Sequence, residues 1–443
     1  MNDLPVLVIG AGPQGLAAAA HLLERGLRPL VVEAGAGPAH AVSQWGHVRL
    51  FSAWPELVDP AAARLLGATG WEAPTRGYPT GSEWISSYLA PLAAALGERV
   101  RLGTRVTGVS RRGRDRLVDS DRAAQPFTVH VLDAAGVESR VDARAVIDAS
   151  GSWTQPNPLG ADGLPALGEH AAADTISYRV PDFTEVEDLA GRHTVIVGSG
   201  HSALTALIGL AGLAEVNAGT RISWVLRRGS VASSFGGGDA DELPARGALG
   251  VRARRAVESG LINVVTGFRV ERITRGDAGV VLVAQDGRAL PVADRVIALN
   301  GFRPDLSFLS EMRLELDTTL QAPIRLAPLI DPNLHSCGSV YPHGAGELSH
   351  PEPGLYLVGM KSYGRAPTFL AMTGYEQVRS VAAQLVGDHE AAARVELTLP
   401  ETGVCGGAGL FDEAESQAEA AGGGCCAPAA PAPVALSGLR VGV

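Results

Sequence analysis

The stretch that decides the fold is residues 4–35, LPVLVIGAGPQGLAAAAHLLERGLRPLVVEAG. Its first apolar run, Val6 to Ile9, has the length and continuity of a strand buried on both faces. A glycine turn follows, then an alanine-rich helix, then a second apolar run that ends in an acid, Glu33. Gly10, Gly12 and Gly15 have the G-x-G-x-x-G spacing, with Pro13 and Gln14 inside it. The spacing meets three needs: a tight turn, backbone left open to a pyrophosphate, and close packing of helix on strand. The free N–H groups and positive end of such a helix hold phosphate. Glu33 lies 18 residues beyond Gly15, where a carboxylate accepts hydrogen bonds from ribose hydroxyls. A dinucleotide site is expected here.

Residues 193–229, HTVIVGSGHSALTALIGLAGLAEVNAGTRISWVLRRG, repeat this architecture. A strand (Val195 to Val197) leads into Gly198, Gly200 and Ala203 in G-x-G-x-x-A spacing, with His201 and Ser202 between. Duplication of a nucleotide-binding unit implies that one chain holds two dinucleotides. The second strand of this repeat ends in Arg227 and Arg228 rather than an acid. An acid would repel a 2′-phosphate, whereas guanidinium groups bind it in bidentate fashion, so NADPH is expected rather than NADH.

The rest of the chain supports an α/β enzyme. Residues 82–96 predict an amphipathic helix with Ser82 as its N-cap. VRLGTRVTGVSRRG, containing Val106, then FTVHVLD and residues 137–151, predict a small meander. That meander ends in the buried strand of VIDASG, with Ser150 and Gly151 small enough to pass a bound dinucleotide. SWTQPNPLG is a proline-rich hinge. Residues 235–250 are glycine-rich and are expected to form a mobile loop at the nicotinamide entrance. Strands over VVTGFRVERITR and GVVLVAQDG follow, and DRVIALNGFRPD, with Asn300, parallels VIDASG. His335, Cys337, His343 and His350 share one loop, but their spacings fit no compact ligand set and no metal is expected. LYLVG, ending at Gly359, supplies one more buried strand, and a helix is expected from about Thr368. Beyond about residue 400 the chain is low in complexity, and a disordered tail is expected over 396–443.

Composition bounds the partners. The 443 residues allow two or three domains, and 46% hydrophobic with 19% charged residues suits a soluble globular enzyme. A net charge of −10 and 5% aromatic residues argue against nucleic acid and anionic membranes. The chain enters a strand almost at once and has no apolar run of membrane-spanning length, so a cytoplasmic protein is expected. Lys361 is the only lysine among the 37 basic residues, which makes any single arginine less telling than usual. The four cysteines (Cys337, Cys405, Cys425 and Cys426) form no C-x-x-C or C-x-x-x-x-C pair. A structural disulfide framework is not expected. Cys425 and Cys426 would serve as an exchangeable redox pair, or with Cys405 would offer three thiolates suited to trivalent arsenic. They are equally well read as incidental residues of a tail.

Taken together, GAGPQG with Glu33, GSGHSA, VIDASG, ALNGF and LYLVG resemble the two-dinucleotide-domain flavoproteins, above all the flavin-containing monooxygenases. The likeness spans residues 4–390. It implies two Rossmann-like domains, the NADPH domain inserted in a discontinuous FAD domain. The boundaries expected are 1–160 and 306–395 for FAD and 161–305 for NADPH. It also implies that the segment after Glu33 runs along the flavin, with Gln44 and Trp45 lining it and His47, Arg49 and Asn300 near the ring. Val106, Ser150, Gly151 and Gly359 would complete the FAD site, and the helix start near Thr368 would face the flavin. In LGEHAAADTISY, aligned on Tyr178, the histidine of the monooxygenase signature falls at Asp174, and Met360 stands where an acid follows the flavin-strand glycine. A fainter likeness is to the flavoproteins of actinobacterial arsenic-resistance clusters, and the Cys-Cys tail resembles that of mercuric reductase.

The function these features imply is an NADPH-reduced flavoprotein monooxygenase acting on a small-molecule substrate with molecular oxygen through a flavin peroxide. A reductase using the tail thiols is the alternative, as is a non-catalytic flavoprotein that senses NADPH or binds thiophilic ions. A homodimer is compatible with either.

Overall fold

The protein is described by a computed structural model that covers residues 3–238, 241, 243–334, 343–367 and 369–397. All four cysteines, His335, Thr368 and the low-complexity tail beyond residue 397 lie outside the described residues.

Two five-stranded parallel sheets organise the chain. The first runs Leu355–Leu357, Ala145–Asp148, Val6–Ile9, Pro29–Val32, Val100–Arg101. The second runs Ile262–Val265, Arg221–Val225, His193–Val197, Arg295–Ala298, Ile176–Ser177. In both, the strand before the glycine turn is central, its successor lies on one side and a later strand on the other. The shared core order is third, second, first, fourth, so the sequence repeat is a repeat of topology. The strands of the second sheet all fall in the sequence between Asp148 and Leu355, which inserts one Rossmann-like unit in the other, as the sequence predicts.

Both sheets are sandwiched in the same way. On one face of the first sheet, Val6 and Val8 pack with Leu16 and Ala17–Ala20 of the helix Pro13–Glu24 and with Val378 and Val381 of the helix Ala371–Leu385. The run of alanines lets the first helix lie close to the sheet. On the other face, Leu7, Ile9 and Val146 pack with Phe127, Val129 and Val131 of an antiparallel sheet, Thr104–Arg111, Phe127–Asp133, Glu138–Ala143. In the second unit the helix His201–Val216 covers one face and the hairpin Val270–Gly276, Gly279–Ala284 the other. Because consecutive residues of each central strand face opposite layers, both layers demand apolar side chains, hence the unbroken runs.

Three expectations are corrected. The helix predicted over 82–96 starts at Gly81 and is capped by Thr80, not Ser82: Glu83 N–H donates to Thr80 Oγ1 (3.2 Å) and Thr80 N–H to the Glu83 carboxylate (2.7 Å). Its middle, Ile85–Leu89, is π-helical. Pro91 has no N–H for the carbonyl of Ser87, and the Trp71 indole donates to that carbonyl instead at 2.8 Å. Second, the loop expected over 235–250 gives way from Pro244 onward to the helix Pro244–Glu258. Its glycines are packing surfaces: a Cβ on Gly247 would lie 2.1 Å from Gly238 O, and one on Gly250 1.9 Å from Phe235 O. Third, the helix expected from Thr368 begins at Ala371. No helix among the described residues is long and apolar enough to cross a membrane.

Candidate functional site

The first glycine turn is built by close backbone approach. Gly10 has φ +99°, and a Cβ there would lie 2.9 Å from Ala149 O; one on Gly15 would lie 1.9 Å from Gly10 O. At Gly12, the N-cap of the helix Pro13–Glu24, a Cβ would meet nothing within 4 Å, and no side chain caps the helix. Open space therefore stands before unpaired N–H groups, the cradle a phosphate requires. Glu33 accepts from Ala11 N–H (2.8 Å) and Gly35 N–H (2.7 Å), which fixes its carboxylate beside the turn. Gln14 is buried, donates to Ala371 O at 3.1 Å and leaves Oε1 without a partner. Gly359 and Gly374 make room for it: their Cβ atoms would lie 2.8 and 2.4 Å from Gln14 carbons. An open cradle, a fixed carboxylate and an orphaned acceptor on one turn fit a bound dinucleotide such as FAD. Ser150 and Gly151 border this turn, Ser150 tied to Asp148 Oδ1 through N–H (3.0 Å) and Oγ (2.6 Å). Val106 lies on the far side of the first sheet, against the core shared with the antiparallel layer.

The second turn follows the same design. Gly198 has φ +128°, and a Cβ there would lie 2.3 Å from Leu299 O. Gly200 is open, and Ala203 is buried in helix–sheet packing. The Trp224 indole donates to Gly198 O at 2.8 Å and holds the turn on the neighbouring strand. His201 and Ser202 open the helix. Burial, then the charge of Arg246, pushes the His201 imidazole down to about 4, so it is neutral at pH 7. At the end of the strand Arg221–Val225, desolvation and the positive charges of Arg228 and Arg269 depress the Arg227 guanidinium. A third arginine, Arg269, thus joins the pair expected from sequence. It comes from the turn after the next strand, where no sequence signal set it apart in an arginine-rich chain.

The segment after Glu33 reaches toward the second unit. His47 Nε2 lies 3.1 Å from Val180 O and Nδ1 4.0 Å from Asp182. Val48 packs against the second unit's core, and the ring of Phe51 lies 5.2 Å from that of His201. Gln44 Oε1 accepts from the Trp153 indole at 2.8 Å, and the Trp153 ring lies tilted against Phe302 at 4.6 Å. Trp45 packs against the first unit's core. The three residues expected near the ring each have a different partner. Arg49 is exposed, donates to Tyr78 O and lies 3.6 Å from Glu83. Asn300 donates to Pro158 O at 2.9 Å, and His47 faces Val180. Asp174, at the place of the signature histidine, is exposed and paired with Arg275. His343 and His350 are buried apart from one another in their bonding, His343 on Gln377 (2.7 Å) and His350 on Glu315 N–H (3.3 Å).

The chain matches the family described as pyridine nucleotide-disulphide oxidoreductase over residues 7–325. A ferredoxin–NADP reductase of Salinispora arenicola is 30% identical over 324 residues, 72% of this chain and 80% of that protein. The fold is shared with the bacillithiol disulfide reductase Bdr from Bacillus cereus, with a TM-score of 0.65 at 21% identity over 87% of this chain and 99% of that one. A flavin-containing monooxygenase from Stenotrophomonas maltophilia matches with a TM-score of 0.57 at 22% identity, over 87% of this chain and 99% of that one. With its two nucleotide units in place, the chain belongs to the pyridine nucleotide-disulphide oxidoreductase family and is an FAD- and NAD(P)H-dependent oxidoreductase.

Proposed function

We propose that the protein is a cytoplasmic NADPH-dependent flavoprotein monooxygenase acting on a small molecule. The observation that carries this reading is a site with two nucleotide turns in a sequence with no C-x-x-C or C-x-x-x-x-C pair of the kind that relays electrons beside a flavin. Residues 1–160 and 306–395 would form the FAD unit and 161–305 the NADPH unit. Gly12 leaves the helix N–H groups open to the FAD pyrophosphate, Glu33 takes the ribose, and Gln14 offers its free acceptor. Arg227 and Arg228 take the 2′-phosphate of NADPH, with Arg269 adding positive charge beside them. Bound at this turn, FAD would supply hydride-accepting and electron-transfer chemistry, and Gly12, Gln14 and Glu33 would hold it. Phe51, Trp153 and Phe302 keep water from the junction, while His47 and Asn300 brace it through backbone carbonyls. Arg49, at the exposed edge, is available to an anionic group of the substrate.

The 30% identity to a ferredoxin–NADP reductase favours a second reading, in which the electrons leave to an external acceptor. One experiment separates the two. The FAD-loaded protein is reduced anaerobically with NADPH, then mixed with oxygen and a panel of small nucleophilic substrates. The monooxygenase reading expects an oxygenated product in step with NADPH consumed. NADPH consumption that yields only hydrogen peroxide with every substrate, but proceeds rapidly with ferredoxin or a dye, selects the reductase. Reduction by NADH as fast as by NADPH would remove the role given to the arginines.

A further inference from the structure

Of the 37 basic residues, one is lysine, and it is among the most buried side chains of the protein. Lys361 sits just after the strand Leu355–Leu357, with its side chain 1% exposed. The ammonium faces three oxygens: Ser150 Oγ at 3.0 Å, Asp305 O at 2.5 Å and Asp148 Oδ2 at 3.3 Å. Phe308 closes the remaining side, its ring centroid 4.9 Å from Nζ. A compact ammonium with three rotatable donors suits such a pocket, whereas a planar guanidinium requires acceptors spread in one plane. In a chain that uses arginine at every other basic position, this environment is a physical reason for lysine here.

The three oxygens belong to segments that matter for the site. Ser150 is held by Asp148 Oδ1 and lies against the first glycine turn, where the missing Cβ of Gly10 would come within 3.1 Å of Ser150 Cα. Asp305 ends the segment returning from the second unit. The outgoing and returning segments lie side by side. Asn157 N–H donates to Gly301 O (2.9 Å), Arg303 N–H to Gln155 O (2.9 Å), and Arg303 Nε to Asn157 Oδ1 (2.8 Å). Lys361 is at the root of this paired connection, in the short turn Gly359–Lys361 that follows the strand Leu355–Leu357.

We propose that Lys361 is a positioning residue for the flavin: it registers both crossing segments on the first sheet and so sets the turn that holds FAD. The inference rests on the FAD reading of the first site. Asp148 would remain as an uncompensated buried carboxylate in Lys361→Met, so the paired variant Lys361→Met/Asp148→Asn isolates the positioning role from charge balance. FAD affinity is read by quenching of flavin fluorescence, the flavin environment by the visible spectrum, and the second unit by NADP+ affinity. Both variants are expected to bind FAD at least about tenfold more weakly, with a shifted flavin spectrum and unchanged NADP+ affinity. Wild-type affinity and spectrum in Lys361→Met overturn the inference. So does their recovery in the paired variant, which would leave the lysine only a counter-ion for Asp148. If neither variant folds, Lys361 holds the fold rather than the flavin and the positioning role is rejected. A wild-type protein that binds no FAD overturns the site reading itself, and this inference with it.

Discussion

Gly12 and Gly15 stand three residues apart in one motif yet answer to different forces. Gly15 is required by packing, since its Cβ would lie 1.9 Å from Gly10 O and 3.4 Å from Val8 Cγ1. Gly12 has φ −78° and open space around it, so the fold tolerates a side chain there. Gly15→Ala is expected to lower the stability of the apoprotein by about 1–3 kcal/mol through overpacking. Gly12→Ala should leave the apoprotein's thermal midpoint nearly unchanged while weakening FAD binding about tenfold or more, because the methyl group fills the phosphate's approach. Thermal melts of apoprotein and flavin titrations of both variants check the pair. Equal effects of the two substitutions on stability would dissolve the distinction.

At the scale of elements, the antiparallel sheet is joined to the first parallel sheet by a buried ion triad. Glu352 receives Arg111 Nε at 2.7 Å and Arg122 Nη2 at 2.8 Å, all three side chains at most 4% exposed. Burial raises the Glu352 carboxyl, but hydrogen bonds and charge from the two arginines prevail and hold it below its ordinary value. Arg111 also covers the Phe127 ring at 3.7 Å, so the triad and the apolar layer are continuous. Glu352→Gln leaves two buried guanidinium groups without a counter-charge, and a loss of about 3–5 kcal/mol is expected in chemical denaturation. A smaller loss in Glu352→Met/Arg111→Met than in Glu352→Gln would show that the cost comes from unpaired charge. The triad was not visible in sequence: Arg111 and Glu352 are 241 residues apart. By contrast, both glycine turns were legible because each needs only neighbours along the chain.

For the whole molecule, two histidines, His201 half-buried and His350 buried, make stability depend on pH. Burial, then Arg246, pushes His201 in the second unit down to about 4, and burial does the same to His350 in the first. Their ordinary value is 6.5, so between about 4 and 6.5 the unfolded chain binds protons that the folded chain refuses. Stability is then full above about 6.5 and is lost as pH falls toward 4, by on the order of 3 kcal/mol per histidine. Melts across that window should show a midpoint falling with acidity, and His201→Asn should flatten part of the slope. An unchanged slope in His201→Asn would mean that His201 protonates freely in the folded state. The same histidine meets Phe51 of the first unit, so the titration also touches the contact between the units.

The sequence by itself determined both glycine turns, their acid and arginine endings, and the insertion of one nucleotide unit in the other. The turns and their endings are local: strand, turn, helix and strand follow one another within about 30 residues, and continuous apolar runs mark strands covered on both faces. Only the tertiary structure decided what depends on distant partners. Folding made the stretch from Pro244 a packed helix whose Gly247 and Gly250 lie against Gly238 and Phe235. It gave His47, Arg49 and Asn300 separate partners, since side-chain direction depends on loops that the motifs do not specify. It also gave the solitary lysine its meaning, for the oxygens around Lys361 come from residues up to 213 positions away in the chain.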